Sequence, residues 1–335
     1  MLKTILASQS DCSRWDEFVR SAEDSTLYHL FYWRMVIEET YKLKPYYFMA
    51  ADNKENIQGV LPVFETRTIT GGKGACSLPF CNYGGICARS QEARELLLNA
   101  AREMAGKDGW KTLELRNLKP MEESWRADKS NVTQIVRLPG DKEIFWSNLV
   151  SKIRWMINKA RQSPLEKVTG RDRVHDFYLV YSENMRDLGT LTHPEFFFRR
   201  VLEFFPAETD LIMLYQGRDP LSGMLTFRFR DSLSDPWDSS RRKYFELYPN
   251  YLLYSEALLY AISLHTDFFD MGRSQPDTGT FRFKSKWGAE TKHLYYLELL
   301  DNEKGLNRES KKEWLKLISR AYRYLPLSFS LMIGP

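Results

Sequence analysis

From Gln91 to Ala105 the apolar residues Ala93, Leu96, Leu97, Ala100, Ala101 and Met104 recur every three or four positions, and Lys107 to Gly109 ends the run. That spacing gathers them on one face of a helix. The same periodicity puts Trp15, Phe18, Val19 and Ala22 on one face of a helix opened by a capping box of Ser13 and Asp16, and predicts a second helix over residues 30–41. Tyr46 to Ala51 and Asn56 to Thr66 flank the turn residues Asp52-Asn53-Lys54 and read as an antiparallel hairpin. A long loop ending at Pro79-Phe80-Cys81-Asn82-Tyr83-Gly84-Gly85 follows, then the helix from Gln91, then a short strand from Thr112 to Leu115. The order is helix, helix, hairpin, loop, helix, strand.

The later part of that order returns from about residue 194. Pro194 to Phe205 reads as a helix, and Asp210 to Gln216 and Leu221 to Arg230 as a hairpin around Gly217-Arg218-Asp219-Pro220. A loop holding Trp237 and Tyr244 runs to Pro249, a helix capped by Asn250 reaches about His265, and Phe268 to Met271 is a strand. Trp33 falls on Phe197 and Gly59 on Gly223 at one common offset. Two copies of one α+β unit are therefore expected, each a mixed sheet flanked by helices, since solenoid repeats are far shorter. The boundaries read as 1–142 and 143–304, with a tail over 305–335 whose helix 308–324 carries Trp314, Leu315, Ile318 and Tyr322 on one face.

Between the copies, Phe145 to Gln162 reads as one amphipathic helix with Phe145, Leu149, Ile153, Ile157 and Ala160 as its apolar stripe. Lys152, Arg154, Lys159 and Arg161 crowd the other faces. Arg154 and Lys159 are candidates to hold a substrate phosphate, and a solvated helix face is the alternative.

Length and composition agree with this organisation. A chain of 335 residues suits two domains, and 43% hydrophobic with 14% aromatic residues supplies two buried cores. The net charge of +4, from 48 Lys and Arg against 44 Asp and Glu, gives no sign of a DNA-binding protein. The N-terminus lacks the apolar core of a signal peptide, and Leu325 to Pro335 is about half of a bilayer span, so a cytoplasmic location is expected. Three of the four cysteines, Cys76, Cys81 and Cys87, are spaced poorly for structural zinc and read as reduced thiols. The five histidines form no metal-spaced pair, so no metal site is expected.

The densest unusual stretch begins at Phe269-Asp270-Met271-Gly272-Arg273-Ser274. It continues through Gln275-Pro276-Asp277-Thr278-Gly279-Thr280 to Phe281-Arg282-Phe283-Lys284-Ser285-Lys286-Trp287-Gly288-Ala289-Glu290. A strand end here runs into a glycine-punctuated loop, where backbone N–H groups can face an anion among several cations. Gly272-Arg273-Ser274-Gln275-Pro276 lacks the second glycine of a nucleophile elbow, so a serine hydrolase using Ser274 is a minor alternative.

Gly-Arg-Ser, then Gly-Thr, then Phe-Lys, then Trp-Gly-Ala-Glu resembles the FemAB-like proteins, relatives of the Fem aminoacyltransferases, and in particular those encoded with exosortase and exopolysaccharide systems. Pro79-Phe80, Asn82 to Gly85, Asn184 to Thr190, and Asn250 with Leu252-Leu253-Tyr254 extend the resemblance over roughly residues 10–298. It implies two tandem GNAT-like domains with mostly antiparallel sheets. It also implies transfer of an acyl or aminoacyl group to an amine of a cell-wall or exopolysaccharide precursor, in a cleft between the copies. Lys284, in the Phe-Lys-x-x-aromatic-Gly motif, is then the residue that stabilises developing negative charge, with Phe283 and Trp287 as a dry wall. A surface lysine beside Lys286 is the alternative.

Asp270 and Glu290 are candidate bases. Arg273, Arg282, Ser274, Thr278 and Gly279 are candidates for holding substrate, the two arginines alternatively pairing with Asp270, Asp277 or Glu290. Asn82 and Tyr83 either line the groove or turn the chain, and Trp237 and Tyr244 either form a lid or anchor packing. No cofactor is required on this reading. The chain has no Arg or Gln, two residues, Gly, one residue, Gly or Ala run of the kind that holds coenzyme A in many GNAT enzymes, so an aminoacyl-tRNA or another acyl carrier is expected over acyl-CoA. Against tRNA, the connecting segment is too short for the helical hairpin that some Fem proteins insert. A lipid-linked glycan or peptide precursor would bring the protein to a membrane surface. A non-catalytic protein that binds such a precursor is the remaining alternative.

Overall fold

A computed structural model describes residues 1–67, 71–121 and 127–300, which fall into two compact units. The first comprises residues 1–133, 273–281 and 291–300, the second residues 134–272 and 282–290.

In the first unit the sheet runs β1 (Lys3–Leu6), β2 (Pro45–Ala51), β3 (Ile57–Arg67), β4 (Lys73–Cys76), β6 (Leu113–Asn117), β15 (Tyr295–Glu298) and β7 (Ala127–Asp128), with β5 (Cys87–Ala88) against β3. Its helices are α1 (Cys12–Ser21), α2 (Trp33–Tyr41) and α3 (Gln91–Asp108). The apolar stripe of α3, Ala93, Leu97, Leu98 and Ala101, packs with Phe48, Leu61, Val63, Leu113 and Leu115 from the strands. Trp15 of α1 lies 5.0 Å from the Tyr47 ring, which also meets Phe31 at 5.6 Å. β2 and β3 are buried almost without interruption along their length, as a sheet covered on both sides requires.

The second sheet runs β14 (Glu290–His293), β8 (Val132–Arg137), β13 (Phe268–Ser274), β12 (Ser232–Ser240), β11 (Asp219–Phe229), β10 (Thr209–Gln216) and β9 (Glu166–Thr169). Its helices are α4 (Lys142–Asn148), α5 (Ser151–Arg161), α6 (Val174–Leu188), α7 (Glu195–Phe204) and α8 (Pro249–Ser263), followed by the short α9 (Gly279–Ser285). Ile153, Ile157 and Ala160 of α5 share one core with Leu253, Ala257 and Leu258 of α8 and with Phe269.

The duplicated order is present in full. α1-α2-β2-β3-β4-α3-β6 in one unit corresponds to α6-α7-β10-β11-β12-α8-β13 in the other. In both, the hairpin strands are antiparallel and one pair is parallel: β4 with β6, and β12 with β13. Gly59 and Gly223 occupy the long second hairpin strand of each copy. A Cβ at Gly59 would meet Leu97 at 2.9 Å, and one at Gly223 would meet Phe177 at 3.0 Å, so each absent side chain admits a helix residue.

Several expectations need correction. Residues 134–142 belong to the second unit, because β8 joins its sheet and Leu138 N–H meets the Asp267 carbonyl at 2.8 Å. Conversely β15 returns to the first sheet, with Leu297 opposite Leu115. The capping box lies one turn earlier than Ser13 and Asp16: Ser8 N–H donates to Asp11 at 2.7 Å, while Asp16 accepts from Phe31 N–H at 2.7 Å. The expected single helix over 145–162 breaks at Leu149 and Val150, whose extended backbone separates α4 from α5 although the apolar stripe continues into one core. Tyr248, at φ 54°, precedes α8 with Pro249 as its first residue, so Asn250 lies inside the helix. The helix expected over 308–324 lies outside the described residues.

Candidate active site

The parallel pairing of β12 with β13 covers Ser232 opposite Phe268, Leu233 opposite Phe269 and Ser234 opposite Asp270, and stops there. Beyond it β12 stays with β11, Trp237 lying opposite Leu225 and Asp238 opposite Met224. The register slips where Asp235 and Pro236 add one residue to β12. Such a bulge re-aims side chains, and Pro236, having no N–H, suits it. The two strands thus open at Asp235 and Asp270.

At this opening Asp235 (2% exposed), Asp270 (5%) and Lys284 (4%) are all buried. Tyr254, on α8, donates to Asp235 Oδ2 at 2.7 Å, and Asp235 Oδ1 has no hydrogen-bond partner among the described residues. Gly272 N–H donates to Asp270 Oδ1 at 2.9 Å. Lys284 donates from Nζ to the Met271 carbonyl, leaving two N–H groups for other acceptors. Lys284 is therefore a buried ammonium on a helix, where a loop lysine was expected. Thr278 sets that helix: its hydroxyl donates to the Gln275 carbonyl at 2.7 Å and accepts from Phe281 N–H at 3.2 Å.

Burial pushes the Asp235 carboxyl well above the usual carboxylate range, and the neighbouring Asp238 charge adds to this, while the Lys284 ammonium and the Tyr254 hydroxyl act the other way. Asp238 is raised for the same first reason, opposed by Lys284. Two acids that hold protons tightly thus lie in the field of one ammonium. Around the lysine stem, the Phe283 ring lies 5.2 Å from Tyr251 and 5.0 Å from Tyr254, and Trp287 stacks on Tyr254 at 5.9 Å. Phe283 and Trp287 thus belong to one aromatic cluster with Tyr251 and Tyr254. Asp235, Asp238 and Tyr254 escaped the sequence reading as site residues. Their one signal was Asp-Pro inside a polar run, which marks a bulge as readily as a loop.

The remaining candidates lie elsewhere. In the first unit, Arg273 Nη1 lies 3.4 Å from the Tyr296 hydroxyl, which donates to the Asn82 carbonyl at 2.6 Å. Asn82 Nδ2 reaches the Tyr28 hydroxyl at 3.3 Å, and Tyr83 meets the Tyr28 ring edge-on at 5.0 Å. Ser274 is buried, while Gly279 and Arg282 are exposed. Neither Arg273 nor Arg282 forms an ion pair with Asp270, Asp277 or Glu290 among the described residues.

In the second unit, Trp237 is not on a loop. It sits in β12 and packs edge-on against His193, Phe197 and Phe198 at 5.3–6.2 Å, so it is an anchor and not a lid. Tyr244 bonds the Asp219 carboxylate, which also pairs with Arg241 at 2.7 Å, tying its segment to the hairpin turn. Arg154 caps the end of α4 through the Trp146 and Ser147 carbonyls at 3.4 and 3.1 Å. Lys159 stays exposed on α5. No cluster of His, Cys, Asp or Glu among the described residues suits a metal ion, and no helix there is long and apolar enough to cross a membrane.

Residues 147–285 match the acetyltransferase (GNAT) domain family. The structure of FemX is similar to this chain at a TM-score of 0.69 and 12% identity, covering 95% of this chain and 100% of FemX. L-PGS from Bacillus licheniformis is similar at 0.56 and 11% identity, covering 93% and 97%. A tandem GNAT protein from the clavulanic acid biosynthesis pathway is similar at 0.53 and 11% identity, covering 90% and 100%. No curated protein matches the sequence. The fold is thus a tandem GNAT fold, and residues 147–285 are the part similar to the GNAT acetyltransferase domain family.

Proposed function

We propose that the second unit transfers an acyl or aminoacyl group to an amine of a cell-wall or exopolysaccharide precursor, with Lys284 as the oxyanion-stabilising group. The observation that carries this reading is the buried Lys284 ammonium at the β12–β13 opening, beside Asp235 and Asp238. An amine nitrogen attacking an ester or thioester forms the C–N bond and places negative charge on the former carbonyl oxygen. A fixed ammonium in a dry site lowers that barrier more than one in water. The nitrogen then loses a proton, and a buried carboxylate with raised proton affinity accepts it more readily than an ordinary one. Asp235 takes this role from its ionised form, which the Lys284 charge and the Tyr254 hydroxyl favour, with Asp270 next to it in the opening. Collapse of the intermediate breaks the carbon–oxygen or carbon–sulfur bond, and the departing group takes up a proton.

An aminoacyl-tRNA or another acyl carrier is the proposed donor. The match of residues 147–285 to acetyltransferases favours acyl-CoA as a second reading. Assays that supply charged tRNA in one arm and acetyl-CoA in the other, with aminated glycan and peptide acceptors and mass-spectrometric detection, separate the two. Lys284→Ala should lower turnover roughly 100- to 1,000-fold. A folded Lys284→Ala protein with full activity would remove the proposal.

A further inference from the structure

We infer that the outer face of α5, together with the turn that follows β12, docks on an anionic lipid surface. The inference rests on the transferase reading for its purpose, since a lipid-linked acceptor is met at a membrane, while the docking itself is tested without any transfer. α5 buries Ile153, Ile157 and Ala160 in the core of the second unit, so its opposite side is the one open to a partner. On that side Lys152, Trp155 and Lys159 follow one another at intervals of three and four and share one face. Trp155 is 51% exposed, an unusual position for the largest aromatic side chain. The Tyr248 ring meets it edge-on at 5.5 Å. Phe245, 46% exposed, lies three residues before Tyr248 in the 3₁₀ turn Arg242–Leu247, where Arg242 and Phe245 share a side. Val150, at the entry of α5, is exposed as well.

Charge selects the partner. Ser151–Arg161 carries four cations and no carboxylate. Arg154 is turned to the α4 carbonyls and Arg161 to Glu256 at 3.4 Å, but Lys152, Lys159 and Arg242 have no ion pair among the described residues. Lys243 pairs with Asp219 at 3.4 Å, and Glu246 is the one carboxylate of the turn. Exposed aromatic side chains set among unpaired cations fit a head-group region, where Trp and Phe enter the interface and each cation gains from the negative surface potential. RNA would also draw the cations, but an exposed valine offers nothing to phosphates or bases, so the lipid surface is the better fit.

The same face leads toward the site. Tyr248 lies 6.3 Å from Tyr251, and Tyr251 lies 5.2 Å from Phe283, the neighbour of Lys284. A path of rings within the second unit therefore joins the exposed Trp155 to the cluster around the buried lysine. An acceptor tethered to lipid requires that its anchoring surface and its reacting group be this close.

The test is sedimentation of the full chain with vesicles of phosphatidylcholine alone or mixed in equal parts with phosphatidylglycerol, and with unfractionated tRNA as a separate arm. No donor or acceptor is present, so the result stands apart from turnover. Binding to the phosphatidylglycerol vesicles, weakened as salt is raised, is expected. Trp155→Ser should weaken it by about tenfold and Lys152→Gln by about fivefold. Both replace exposed side chains, and either carries the test if the other does not fold. No binding to phosphatidylglycerol vesicles, equal binding to phosphatidylcholine alone, undiminished binding in a folded variant, or binding of tRNA in place of vesicles would overturn the assignment.

Discussion

Tyr254 donates its hydroxyl hydrogen to Asp235 Oδ2 across 2.7 Å, and both side chains are almost wholly buried. With Oδ1 unpartnered among the described residues, this bond and the Lys284 charge offset the burial of the Asp235 carboxyl. Tyr254→Phe should lower stability by about 1–3 kcal/mol in urea unfolding, since an acceptor is then stranded. An unchanged midpoint would mean that the phenol does not support the acid.

Asp235 itself should act against stability at neutral pH. Its folded proton affinity is raised by burial, and next by the charge of Asp238. Below the ordinary carboxylate range both folded and unfolded chains are protonated, and the residue is neutral in its effect. As pH rises through that range the unfolded chain ionises first, which favours unfolding, and the cost stays above it. Asp235→Asn should therefore raise the melting temperature by about 2–4 °C at pH 7, leave it unchanged in acid, and reduce transfer activity. A melting temperature lowered at pH 7 and not in acid would contradict this.

His193 gives the opposite slope. Burial pulls its imidazole from 6.5 down to about 3, in a nest formed by Tyr181, Phe197 and Trp237. A depressed value means stability that is present above about pH 6.5 and lost as pH falls toward 3, because the unfolded chain binds the proton first. His193→Phe should flatten the acid limb of a urea-midpoint profile over that window. If the limb persists unchanged, other groups produce it.

Burial pushes the Cys76 thiol up to about 12 and raises Cys81 as well, so neither offers a reactive thiolate. The four cysteines are free, and only Cys12 is partly exposed. Iodoacetamide on the native protein should modify Cys12 slowly and the other three only after unfolding, as counted by mass spectrometry. Rapid native labelling of Cys76 or Cys81 would show that the first unit opens there.

Where a segment's local chemistry agreed with its final surroundings, the sequence was readable. The hairpins Pro45–Ala51 with Ile57–Arg67 and Thr209–Gln216 with Asp219–Phe229 are apolar, β-prone runs around turn residues, and they lie where the pattern put them. β12 was lost because Ser232, Ser234, Asp235, Pro236 and Asp238 have the composition of a loop. Their polar groups are accommodated by a bulge, a tyrosine and a lysine that are distant in sequence. Lys284 and Asp270 were singled out from one continuous motif, while Asp235 and Asp238 were not, since only the opening of two strands brings them there. The stripe from Phe145 to Ala160 predicted the right buried face and hid the break at Leu149 and Val150, which leaves that face continuous.

The position of β15 has a consequence for synthesis. It stands between β6 and β7, two strands translated long before it. When residues 1–133 have left a ribosome, the gap between those strands is still empty, and it stays empty while the whole of β8 to β13 emerges. Nascent chains usually complete their domains in order from the N-terminus. Among the described residues the unit begun first is thus the unit completed last, and a chain stopped before Tyr295 leaves β6 with an open edge.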